Sequence, residues 1–127
     1  MLPFLVMTTQ EVADQLVELC SEGKLAEAME TLYSPDIVSM EAGAPPGESR
    51  ESKGIAAVRA KGEWWVANHE VHSMSVAGPL VAGSHFAVTF TMQVTFKPDG
   101  RQFRMEEVAV YKVAGGKIVY EEFFYAM

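Results

Sequence analysis

Residues 85–97 alternate without interruption. Phe86, Val88, Phe90, Met92, Val94 and Phe96 share one parity, and Ala87, Thr89, Thr91, Gln93 and Thr95 share the other. Successive side chains on a strand point to opposite faces, so this segment reads as a strand with one buried face and one lighter, Thr-rich face. Such a strand needs hydrogen-bonding neighbours and an apolar cover. Neighbours are at hand: residues 70–80, 101–113 and 117–125 also carry strand patterns. Ala82-Gly83-Ser84, Lys97-Pro98-Asp99-Gly100 and Ala114-Gly115-Gly116 separate them. Gly, Pro and Asp at those places favour tight turns, so four consecutive antiparallel strands are expected.

The first half of the chain supplies the cover. Thr8-Thr9-Gln10-Glu11 has the capping-box pattern, in which a Thr hydroxyl and a Glu carboxylate satisfy free backbone amides at a helix start. Val12, Leu16, Leu19 and Cys20 follow at helical spacing, and Gly23 offers a left-handed stop. Leu25, Ala28, Met29 and Leu32 form the apolar face of a second short helix, with Pro35 expected to end it. A strand is expected over 37–41. The Gly- and Pro-rich segment 42–52 reads as a long loop and a lid over whatever lies beneath. A third helix over 53–68 places Ile55, Val58, Gly62 and Trp65 on one face, with Trp64 on the flank. Residues 1–7 read as an N-terminal extension, either disordered or a short strand or arm docked on a partner chain, and 8–127 as one domain.

Length and charge exclude several function classes. A chain of 127 residues suits one domain with a full core. Acidic residues number 17 against 10 basic ones, a net charge of −7 with no basic run, which repels a phosphate backbone. No nucleic acid and no membrane are expected as partners. Cys20 is the single cysteine, so there is no intrachain disulfide and no zinc spacing, and a reducing cytoplasm fits.

This order of helices and strands resembles the nuclear transport factor two-like superfamily, and within it the SnoaL-like polyketide cyclases and their ketosteroid isomerase relatives. The resemblance runs over residues 8–125. Its carriers are Glu22-Gly23-Lys24, Tyr33-Ser34-Pro35-Asp36-Ile37-Val38, Lys53-Gly54-Ile55 and Gly116-Lys117-Ile118-Val119. It implies an α+β fold, with three N-terminal helices in the concave face of a strongly curved, mostly antiparallel sheet. That is a conical half-barrel with an internal pocket, usually homodimeric. The isomerase triad does not carry over: its base position falls on Met40 with Glu41 next to it, its Tyr position on Leu16, and its protonated acid near Val108 or Ala109, beside Glu107.

Chemistry is sought on the strand faces. Phe103, Met105, Glu107, Ala109 and Tyr111 share one parity, as do Val119, Glu121, Phe123 and Tyr125. A tight turn at 114–116 would pair Tyr111 with Val119, Ala109 with Glu121 and Glu107 with Phe123. Glu107 and Glu121 would then be diagonal neighbours on a largely apolar face. Carboxyls held there are either paired or pushed to a higher pKa, which is how an acid or base is tuned. The alternative is an outward face, with each Glu satisfied by Arg104, Arg59 or a backbone amide.

His72, alternating with Met74 and Val76, is read as facing inward, a proton partner with a pKa near neutrality. Tyr125 is read as a hydrogen-bond donor. Glu107, Glu121, His72 and Tyr125 are thus the catalytic candidates. Glu41, Met40, Tyr33, Trp64, Phe90, Met105, Tyr111 and Phe123 are the ligand-binding ones, in a roomy wall to which Met and aromatic side chains are suited. His69 and His72 lack a specific metal spacing, and neither metal nor cofactor is expected. The expected function is the binding of a small, mainly apolar molecule in an internal pocket, with cofactor-independent isomerase- or cyclase-type acid/base chemistry. The alternative is a non-catalytic ligand-binding or dimeric assembly module. A homodimer is expected through the outer sheet face, where Val108, Val110 and Tyr120 lie.

Overall fold

The computed structural model describes residues 6–126. It is an α+β fold: α1 (Thr9–Ser21), α2 (Leu25–Leu32), β1 (Tyr33–Met40), β2 (Glu51–Lys53), α3 (Ile55–Asn68), β3 (His69–Ala82), β4 (His85–Phe96), β5 (Arg101–Ala114) and β6 (Lys117–Phe124). The six strands lie in the order β2-β1-β6-β5-β4-β3. Every neighbouring pair is antiparallel except β1 and β6, which run parallel.

The capping box forms: Glu11 N donates to Thr8 Oγ1 at 3.1 Å, and Thr8 N donates to Glu11 Oε1 at 2.9 Å. Val12, Leu16 and Cys20 are buried from α1, and Gly23 takes φ +73° after it. The second helix stops earlier than Pro35. It ends at Leu32, and Tyr33 is already extended, so Pro35 sits inside β1. Nothing there conflicts with proline chemistry, since an extended φ accommodates the ring. The 42–52 segment is pinned at its neck, where Glu41 N donates to Arg50 O and Arg50 Nε donates to Glu41 O, both at 2.9 Å. Its last residues form β2 rather than loop.

The core lies between the helices and one face of the sheet. Phe86, Val88, Phe90, Met92 and Val94 are all buried, as the alternation requires, and meet Val12, Leu16, Leu32 and Val58 in one apolar cluster. Residues 1–5 lie outside the described residues, whereas Met7 packs against this cluster. Among the described residues, no helix is long and apolar enough to cross a membrane.

Of the four register shifts in the sheet, two redirect candidate side chains. In β3 the partners step from Val71–Val94 to Ser73–Gln93, so His72 is an extra, bulged residue. In β6 they step from Val113–Ile118 to Lys112–Tyr120, so Val119 is extra. A bulge inserts one residue without a partner and reverses the parity beyond it. The expected pairing of Tyr111 with Val119 is therefore corrected. The hairpin turns on Gly115 and Gly116 alone, closing Ala114 on Lys117, and Tyr111 faces Glu121 while Ala109 faces Phe123.

Candidate functional site

A cavity of about 460 Å³ lies between the three helices and the inward face of the sheet. Tyr33, Phe90, Met105, Tyr111 and Phe123 line it from the strands, and Met29 and Trp65 from the helices. Its wall is mainly apolar, with most of its polar groups gathered at one end and His69 apart from them. Gly62 leaves room for this geometry: a Cβ there would stand 3.0 Å from Met29 Cε.

The polar end is one connected chain of side chains. Glu121, 2% exposed, accepts a hydrogen bond from the Tyr33 hydroxyl at Oε1. Its other oxygen accepts from Ser39 Oγ at 2.7 Å. Ser39 in turn accepts from Lys61 Nζ at 2.6 Å. Lys61 also meets Glu41 Oε1 at 3.2 Å and lies 5.3 Å from the centre of the Phe123 ring. Glu41 Oε2 accepts from the Tyr125 hydroxyl at 3.3 Å, which closes the series. Three acids therefore surround one ammonium group, since Glu107 also feels the Lys61 charge. A buried carboxylate is tolerable here because donors occupy both of its oxygens.

Glu107 differs from Glu121. It faces the cavity from β5 opposite Phe90, and no hydrogen-bond donor among the described residues holds it. Burial, reinforced by the charges of Glu41 and Glu121 and opposed by Lys61, pushes its carboxyl up to about 7. Burial also raises Glu121, with Tyr33, Ser39 and Lys61 pulling the other way. Burial and the Glu121 charge keep the Tyr33 and Tyr111 hydroxyls protonated. Tyr125 is pushed up to about 12 by burial and by Glu41. Cys20, which also lines the cavity, rises to about 12 by burial and the Glu121 charge, so it is an inert thiol. The cavity thus offers an acid able to gain or lose a proton near neutral pH (Glu107) and a protonated hydroxyl free of protein partners among the described residues (Tyr111).

The structure brings together Glu107, Glu121, Tyr33, Phe90, Met105, Tyr111 and Phe123 as cavity lining. Glu107 and Glu121 share the face that parity assigns them. They are not diagonal neighbours, however, because the Val119 bulge sets Glu121 opposite Tyr111. Glu41 stands behind Lys61, and Tyr125 behind Glu41. Three expectations are corrected. His72 is exposed and bonds Thr95 Oγ1 at 2.6 Å on the outside, because it is the bulged residue of β3. Trp64 is 57% exposed, and its neighbour Trp65 lines the cavity instead. Met40 does not line this cavity, since the parity of β1 turns Ser39 inward.

Sequence reasoning missed Ser39, Lys61 and His69. Lys61 carried a signal: it stands three residues after Val58 and four before Trp65, a charge on an otherwise apolar helix face. His69 lines this cavity and a second one of about 580 Å³, whose wall includes Trp65, Phe103, Arg104, Met105 and Tyr125. Among the described residues, no cluster of three or more His, Cys, Asp or Glu side chains could hold a metal ion.

Residues 7–125 match the family model of the SnoaL-like domain. The chain belongs to the SnoaL-like family. A candidate SnoaL-like polyketide cyclase from Mesorhizobium loti is 44% identical to this SnoaL-like protein, with a TM-score of 0.88 over 94% of this chain and 100% of that one. A cystatin-like protein of unknown function from Xanthomonas campestris is 19% identical, with a TM-score of 0.77 over 95% and 92% of the two chains. A candidate polyketide cyclase from Pseudomonas putida is 20% identical, with a TM-score of 0.70 over 95% and 93%. The last two share the fold with this SnoaL-like protein. No curated protein matches it.

Proposed function

We propose that this SnoaL-like protein binds a small, mainly apolar molecule bearing a carbonyl or enol oxygen. It then moves a proton on that molecule without a cofactor, in isomerase- or cyclase-type chemistry. The observation that carries this reading is Glu107, a carboxyl raised to about 7 that faces an apolar cavity with no donor of its own among the described residues. A group balanced at neutral pH can both take and return a proton. Tyr111 supplies a hydroxyl donor to the developing oxyanion, and the Glu121–Ser39–Lys61 series fixes the local field. Similarity to the candidate cyclase from Mesorhizobium loti supports the same reaction class. In this reading the helices fill the concave side of a strongly curved sheet, a conical half-barrel around the pocket, and a cytoplasmic location fits the free, buried Cys20.

The test is a neutral apolar fluorophore such as N-phenyl-1-naphthylamine. It is expected to bind at one site with micromolar affinity and to be displaced by filling the cavity through Gly62→Leu. Absence of saturable binding overturns the reading.

We also propose a homodimer through the outer sheet face. Leu80 is 76% exposed, Phe124 49% and Val108 41%. The pairings Leu80–Ala87–Val110 and Thr89–Val108–Phe124 align them on the face opposite the core. A contiguous apolar sheet face of this kind is usually covered. Sedimentation equilibrium at micromolar concentration is expected to give twice the 14.0 kDa chain mass. A single species at chain mass overturns it.

A further inference from the structure

His69 is the one cavity histidine, and nothing in the proton chemistry above uses it. Its ring is fixed on several sides: it stacks on Trp65 with centroids 4.3 Å apart and planes 9° from parallel, and it lies 5.1 Å from Phe96 and 6.4 Å from Phe103. Its Nδ1 lies 2.8 Å from the backbone oxygen of Trp65. A carbonyl oxygen can only accept, so Nδ1 carries the hydrogen. In the neutral ring the lone pair is then on Nε2. No partner for Nε2 is present among the described residues, and no buried side-chain nitrogen there lacks one, so Nε2 is accessible, on a residue that lines both cavities.

We infer that His69 Nε2 is a fixed hydrogen-bond acceptor that selects ligands carrying a hydroxyl at the end remote from Glu107. The inference rests on the cavity reading above. His69 pairs with Phe96 at one end of β4, whereas Glu107 faces Phe90. Between them the wall is Met92 and Met105, which offer no hydrogen bond of consequence. The site therefore has two polar ends and an apolar middle. Its ligand is an elongated apolar molecule with an oxygen function for Glu107 and a hydroxyl donor for His69. An acceptor built this way discriminates by penalty: a ligand without the donor strips water from Nε2 and returns nothing.

The test compares 2-naphthol with 2-methoxynaphthalene, which share a ring system and differ in the donor. The protein is expected to bind the naphthol about tenfold more tightly, the effect of one satisfied neutral hydrogen bond. His69→Phe retains a ring to stack on Trp65 and is expected to bring the ratio to about one while leaving the ether's affinity within about twofold. Nitrogen NMR of the parent protein gives a second measurement that needs no variant: the His69 Nε2 resonance is expected to move with the naphthol and not with the ether. Equal binding of the two probes by the parent, a ratio unchanged in His69→Phe, or a still Nε2 resonance overturns the inference and leaves the cavity reading standing. Binding of neither probe overturns both.

Discussion

Replacing Glu107 by Gln is expected to stabilise the protein at pH 8, leave it unchanged near pH 4, and remove its capacity to move a proton. The carboxyl has an ordinary value of 4.5 in the unfolded chain and about 7 in the fold. Below the lower value both states hold the proton, and the side chain costs nothing. As the pH rises toward the higher value, the unfolded chain releases its proton freely while the fold resists. Stability is lost over that window and levels off above it. The full shift corresponds to about 3 kcal/mol, and Gln, isosteric and uncharged, avoids it. Urea denaturation of both proteins at the two pH values measures the difference directly, and a carbon-detected titration of the Glu107 carboxyl measures its cause. Any acid/base turnover in the cavity is expected to fall by roughly 10²- to 10⁴-fold in the same variant. A Glu107 that titrates near its ordinary value, with no gain in stability from Gln, removes the basis of the proposed chemistry.

Why this acid is legible in the sequence is a matter of parity. Glu107 follows Met105 and precedes Ala109 and Tyr111 by even steps, and β5 runs without a bulge from Arg101 to Lys112, so its face is legible. Glu121 survived an error of register. The Val119 bulge and the tighter turn each displace the pairing by one residue, and two such steps restore the original face. The second shift of β3, between Ala77 and Leu80, lies beyond Met74 and Val76 and does not rescue His72. A single bulged residue turned it to solvent, while Val71 before it and Met74 after it both line the cavity. Bulges depend on how two strands twist together, and neither strand's own sequence marks them. Ser39 and Lys61 were hidden for another reason. Each becomes meaningful only when β1, β6 and α3 meet, and those contacts join residues far apart in the chain. A search for apolar spacing on α3 passes over a lysine on the inward face, although that charge is the informative residue of the helix.

Removing that charge is expected to unsettle the whole polar end. Lys61→Met keeps an apolar stem of similar length, so the loss is mainly electrostatic. Ser39 loses the donor at 2.6 Å, Glu41 loses its ion pair at 3.2 Å, and the lowering influence on Glu107 and Glu121 disappears. At pH 8 the cost is expected to be about 2 kcal/mol, below that of a fully buried pair because the Lys61 and Glu41 side chains retain 25% and 28% of their exposure. The sign with pH follows from the carboxyls. Without Lys61 the carboxyls of Glu107 and Glu121 rise further, so acidification protonates them and relieves the repulsion. The deficit at pH 5 is therefore smaller than at pH 8. A cycle with Glu41→Gln isolates the ion pair: Gln removes the charge that Lys61 balances, so the double variant is expected to lose less than the two single losses combined. Additive losses, or a deficit independent of pH, would mean that Lys61 acts through packing alone. Its ammonium group would then have no part in holding Glu107 within reach of neutral pH.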